Sequence, residues 1–93
     1  MAITIALPGA LQPYAGGSLE VTLEGGCATV GDALGALAGR HGGVVDRVID
    51  ERGELRRHVN VFVDGDNVRW LDGLRTAVGD DSTIVIVPAV SGG

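Results

Sequence analysis

Lysine is absent, and all seven basic side chains of the 93-residue chain are arginine. One copy therefore offers another no side-chain ammonium for an activated carboxyl group to acylate. Cys27 is the single cysteine, which excludes an internal disulfide, a structural thiolate zinc site and an iron–sulfur cluster. Aromatics are confined to Tyr14, Phe62 and Trp70, so the core must be built from Val, Leu, Ile and Ala. No apolar run approaches the ~20 residues that a membrane helix needs. The stretch Met1–Leu11 is apolar but lacks a basic start and contains Pro8, so it reads as a strand and not as a secretory leader. A cytoplasmic protein is the expectation.

What is present argues for one folded domain. Hydrophobic residues make up 45% of the chain and mean hydropathy is positive, enough to favour a globule over disorder. The net charge of −5 is uneven. Residues 1–39 carry Glu20, Glu24 and Asp32 with no base, and residues 59–93 are again acidic. Residues 40–58 hold five of the arginines against four acids. This balance repels nucleic acid and anionic membranes and suits a protein partner with a basic surface.

Periodicity predicts the elements. Ile3–Leu7 and Leu19–Leu23 alternate with period two and read as an opening hairpin. Thr29 with Asp32 resembles a capping box, with Asp in place of Glu, ahead of a helix. Its apolar stripe is Val30, Ala33, Leu34, Leu37 and Ala38, and Gly39 ends it. Gly31, Gly35 and Gly39 weaken that helix by about 1 kcal/mol each relative to Ala. Residues 40–57 read as a charged, irregular segment with one helical turn at Val44–Ile49. His58–Val63 is a strand, Asp64-Gly65 a hairpin turn, and Asn67–Trp70 the returning strand. After an irregular connection, Thr83–Pro88 is a β-branched run that fits a buried strand, ended by proline. The order β-β-α-β-β-β, with one main helix across one face of a mixed sheet, is the α+β ubiquitin-like β-grasp. Residues 1–88 form the expected domain and residues 89–93 a flexible tail.

The tail is the candidate reactive element. Gly92 and Gly93 have no Cβ to obstruct an enzyme, and the α-carboxylate of Gly93 is a group that can be activated. Together with Val59-Asn60-Val61-Phe62-Val63-Asp64-Gly65, with Gly79–Thr83 leading into the last strand, and with Pro88-Ala89-Val90-Ser91-Gly92-Gly93, it resembles the ubiquitin-like sulfur carriers of the ThiS and MoaD type. The charged segment before His58 and the Pro-Ala-Val-x-Gly-Gly ending are most similar to the CysO branch, which serves cysteine synthesis.

The resemblance implies a carrier without turnover of its own that binds no cofactor. An E1-like enzyme uses ATP and Mg²⁺ to convert the Gly93 carboxylate to an acyl-adenylate, and sulfur then replaces AMP to leave a thiocarboxylate. A second partner takes the sulfur. In the cysteine branch this is a PLP-dependent synthase that presents a serine-derived acceptor, and a protease then releases the product. Other branches supply molybdopterin, thiazole or thiosugars. Ala89, Val90, Ser91 and Gly92 are the thread that carries Gly93 into the partner. Alternation puts Phe62, Val85 and Val87 on the outer sheet face, where the resemblance implies a partner-binding patch. Two other functions remain open: a modifier conjugated to target lysines, and a non-covalent β-grasp interaction module.

The other chemistry-bearing residues read more plainly. Cys27 has no base nearby in sequence and reads as a small, buried or half-buried side chain. His41 and His58 lack metal-ligand spacing. Arg56 and Arg57 belong to a solvated mixed-charge loop, Asp80 and Asp81 to a turn entering the last strand, and Trp70 to packing at a sheet edge.

Overall fold

The computed structural model describes residues 2–88. Five strands, β1 (Ala2–Ala6), β2 (Glu20–Glu24), β3 (Val59–Val63), β4 (Asp66–Asn67) and β5 (Thr83–Pro88), form one sheet in the order β2-β1-β5-β3-β4. The β1–β5 pair is parallel and the others are antiparallel. One helix, α1 (Val30–Val48), crosses a single face. This is the mixed-sheet β-grasp that the sequence predicts.

Alternation decides the two faces. Ile3, Ile5, Val21, Leu23, Val59, Val61, Val63, Ile84 and Ile86 are buried beneath the helix, which contributes Val30, Ala33, Leu34, Leu37, Val44 and Val48. The capping box forms in both directions: Asp32 N donates to Thr29 Oγ1 at 3.1 Å, and Thr29 N donates to Asp32 Oδ2 at 3.2 Å. Reciprocal satisfaction of these orphan amides fixes the start of α1. Cys27 is half-buried against the core, as expected.

Five details depart from the sequence reading. The helix runs on past Gly39 to Val48, through a break at His41 (φ −141°, ψ 68°). Val44 and Val48 continue the stripe of Leu37, and their complete burial outweighs the weak propensity of Gly42 and Gly43. Ala38, in contrast, is exposed. Residues Gly9–Ala15 form a 3-10 segment that packs on α1. A Cβ at Gly43 would lie 3.3 Å from Tyr14 Cδ1, so the close approach depends on that glycine.

The other two departures concern the stretch after the Asp64-Gly65 turn. Both turn residues have positive φ, 49° and 95°, which suits a tight hairpin turn. β4 nevertheless stops at Asn67. Its side chain accepts from Arg69 N at 2.9 Å and starts a 3-10 turn, Val68–Trp70, a local alternative to the ladder. Val68 is thereby turned into the core. Trp70 is not packed at the edge but is 82% exposed.

The charged segment before β3 is ordered by its own polar groups. Asp50 Oδ1 accepts from Arg52 N at 2.8 Å and Glu54 N at 3.0 Å, and Arg69 donates to the carbonyls of Arg56, Arg57 and Val59. The Glu54 amide, then the Arg52 amide and the charges of Arg52 and Arg56, hold the Asp50 carboxyl below its ordinary value of 3.8. A lowered folded-state value stabilises the loop above that ordinary value. The contribution fades as pH falls through the lowered one. Carbon-detected NMR titration is expected to place the Asp50 midpoint below 3.8, with faster exchange of the Glu54 and Arg52 amides once the group is protonated. A midpoint at or above 3.8 would contradict the geometry.

Candidate functional site

β5 holds two of the residues assigned to docking, Val85 and Val87, and leads to the expected tail. It is paired on both sides, with β1 from Thr4↔Thr83 to Ala6↔Val85 and with β3 from Val59↔Pro88 to Val63↔Ile84. Its start is tied by Asp64, whose carboxylate accepts from Ser82 Oγ at 3.1 Å and Thr83 N at 2.9 Å. Gly79–Ser82 makes the expected turn into the strand, with Asp81 at φ 63° and Ser82 N donating to Gly79 O at 3.2 Å. Pro88, which has no N–H to extend the ladder, is still in register opposite Val59. The junction with the tail is thus a fixed point of the sheet. The expected thread and reactive end, Ala89, Val90, Ser91, Gly92 and Gly93, lie outside the described residues.

The outer face of the sheet brings together the three residues assigned to the docking patch. Phe62 is opposite Val85, and Val87 is opposite Asn60. Phe62 and Val85 are half-buried, whereas Val87 is 38% exposed. Register adds a residue that alternation alone does not single out: Ala6 is the neighbour of Val85 on its other side. Ala6, Val85 and Phe62 therefore form an apolar row across three strands, bounded by Glu20 beyond Ala6 and Asn67 beyond Phe62. Cross-strand neighbours sit about 5 Å apart, so the row is continuous enough to be covered by one partner surface.

A sheet with this order, one crossover helix and a doubly paired central strand define a ubiquitin-like β-grasp protein. Residues 5–93 match the model of the ThiS family, and the chain belongs to that family. It is 36% identical over 95 aligned positions to the sulfur carrier protein CysO of Mycobacterium tuberculosis, with 100% of each chain covered. It is 46% identical over 68 positions to the small archaeal modifier protein 1 of Haloferax volcanii, covering 73% of this chain and 74% of the relative. In the crystal structure of the Amycolatopsis orientalis BexX/CysO complex, a 36% identical chain superposes with a TM-score of 0.87, covering 98% of this chain and 99% of that one. No helix among the described residues is long and apolar enough to cross a membrane.

Proposed function

We propose that the protein carries sulfur as a thiocarboxylate on Gly93. An ionised α-carboxylate, with a pKa of about 3.5, is a poor electrophile. Reaction with ATP on an E1-like enzyme, assisted by Mg²⁺, gives an acyl-adenylate and pyrophosphate. A sulfide equivalent then displaces AMP. The carrier binds no cofactor and has no turnover. It supplies the terminal carbon, the thread Ala89–Gly92 and a docking surface. The single observation that carries this reading is the family match, which extends through the Gly-Gly ending to residue 93.

The full-length likeness to a CysO sulfur carrier favours the CysO branch, for which the product would be cysteine and the sulfur acceptor a PLP-dependent synthase. Likeness to the archaeal modifier supports a second reading in which a target lysine attacks the activated Gly93. Both begin with the same activation and differ in the nucleophile. Intact-mass spectrometry after incubation with ATP, sulfide and an E1-like enzyme tests the proposal. Replacement of one terminal oxygen by sulfur is the expected result, and a chain left unchanged sinks it. Lysine-linked conjugates recovered from cells would favour the modifier.

The row Ala6, Val85 and Phe62, with Val87, is assigned to partner docking. Phe62→Asp sets a charge in its middle and is expected to weaken activation by about tenfold or more in KM, since central aromatic anchors carry 2 kcal/mol or more of binding. The melting temperature should change little, because Phe62 is on the face away from the helix. Unchanged KM in the folded variant would remove this face from the interface.

A further inference from the structure

The net charge of −5 conceals an uneven placement of charge along the strand direction. β1 and β5 are parallel, so Leu7, Pro8 and Pro88 are at the same end of the sheet, and Val59 opposite Pro88 brings His58 there as well. Arg56 Nε donates to Asp46 O at 3.0 Å, which ties the segment before β3 to the last turns of α1. This tail-bearing end therefore gathers Arg47, Arg56, Arg57 and His58; its carboxylates are Asp46, Asp50, which feels the charge of Arg56, and Glu20, which is paired with Ala6 on the edge strand. The opposite end holds the turn Asp64–Asp66, the turn before β5 with Asp80 and Asp81, and Glu24 at the end of β2.

The basic end also has a built slot. A groove of about 270 Å³ opens between the 3-10 segment and the start of the tail, walled by Leu11, Tyr14, Ile86 and Pro88 and rimmed by Arg47 and His58. Arg47 and His58 also line an adjoining hollow with Asp46 and Arg56. Arg47 is held in place: its guanidinium carbon is 3.6 Å from the centroid of the Tyr14 ring, and Nη1 donates to Gly43 O at 3.1 Å. A stacked guanidinium keeps further N–H donors in its plane for a carboxylate. Little side-chain entropy remains to be lost when one binds.

We infer that this groove docks an apolar side chain flanked by carboxylates on the partner protein, at the mouth of the channel that receives the tail. Charge complementarity selects that occupant: basic anchors surround an apolar slot, and the acidic far end is repelled by the same partner surface. Attraction at one end and repulsion at the other turn the carrier tail-first during approach. The sulfur-carrier reading enters only in saying which proteins present such a channel.

Two measurements separate failure of the inference from failure of that reading. The first needs no enzyme. Titration of ¹⁵N-labelled protein with the capped pentapeptide Glu-Glu-Leu-Glu-Glu is expected to shift the amides of Leu11, Arg47 and His58. The shifts should fade in about 0.3 M salt, where the screening length approaches 5–6 Å, and with Gln in place of the Glu residues. No localised shifts overturns the groove. The second uses the activating enzyme. Arg47→Glu and Arg57→Glu are each expected to raise KM about tenfold with kcat kept and the salt dependence flattened. If Arg47→Glu loosens the fold, Arg57→Glu still decides the result, because the Arg57 side chain is exposed. Equal KM for both folded variants and wild type overturns the inference. An unreacted wild type counts against sulfur carriage alone, and the peptide titration then decides the groove.

Discussion

Deleting Gly93 should abolish activation, with no sulfur-bearing or adenylated species detectable under conditions that convert the intact chain. The shortened protein still ends in a glycine carboxylate, so its chemistry is unaltered and only reach changes. One extended residue spans about 3.3–3.6 Å, and Pro88 is held in register against Val59, so the body cannot slide forward to compensate without undocking. A reacting group misplaced by 1 Å costs about a hundredfold. Withdrawal by a full residue therefore predicts a loss of at least that size. Gly92→Ala is the milder companion. It keeps the reach but adds a Cβ and restricts the backbone next to the reacting carbon, so activation slows without ceasing. Normal reaction of the shortened chain would remove the terminal carbon from the mechanism.

The sequence made the scaffold legible where local signals and tertiary packing agree. Strict alternation in Val59–Val63 gives the buried set Val59, Val61 and Val63, and the β-branched run Thr83–Pro88 gives the central strand. Thr29 and Asp32 mark the helix start by chemistry that is entirely local. The misreadings fall where contacts distant in sequence decide. The extension of α1 past His41 depends on Tyr14 packing against Gly43 and on burial of Val44 and Val48, neither visible in a window around Gly42. The 3-10 segment Gly9–Ala15 has no side-chain cap and contains Pro13, so no propensity announces it. Asn67 looks like strand until its side chain is seen to cap Arg69.

The same division applies to function. A Gly-Gly ending and a family likeness point to Gly93 because both reside in contiguous sequence. The row Ala6, Val85 and Phe62 needed register, which alternation supplies only up to the choice of face. The groove at the tail-bearing end draws its walls from the 3-10 segment, α1 and two strands, and its basic rim lies in a segment whose mixed charge suggested mere solvation. A net acidic chain gave no hint that Arg47, Arg56, Arg57 and His58 would gather at one end.

Ile84→Ala is expected to cost about 2–5 kcal/mol, the usual range for truncating a fully buried aliphatic side chain. Ile84 is completely buried beneath α1, in register with Ile5 on one side and Val63 on the other. A 93-residue chain has a total stability of roughly 5–14 kcal/mol, so a large part of it would be lost. The melting temperature should fall by about 10–30 °C. Below that lowered transition, activation is expected to proceed with the KM of wild type, because the outer row and the basic end retain their geometry while the core loosens. A raised KM in protein shown to be folded would mean that the Ile84 side chain sets the position of the docking surface through β5. An unchanged KM assigns Ile84 to holding together the sheet from which the tail departs.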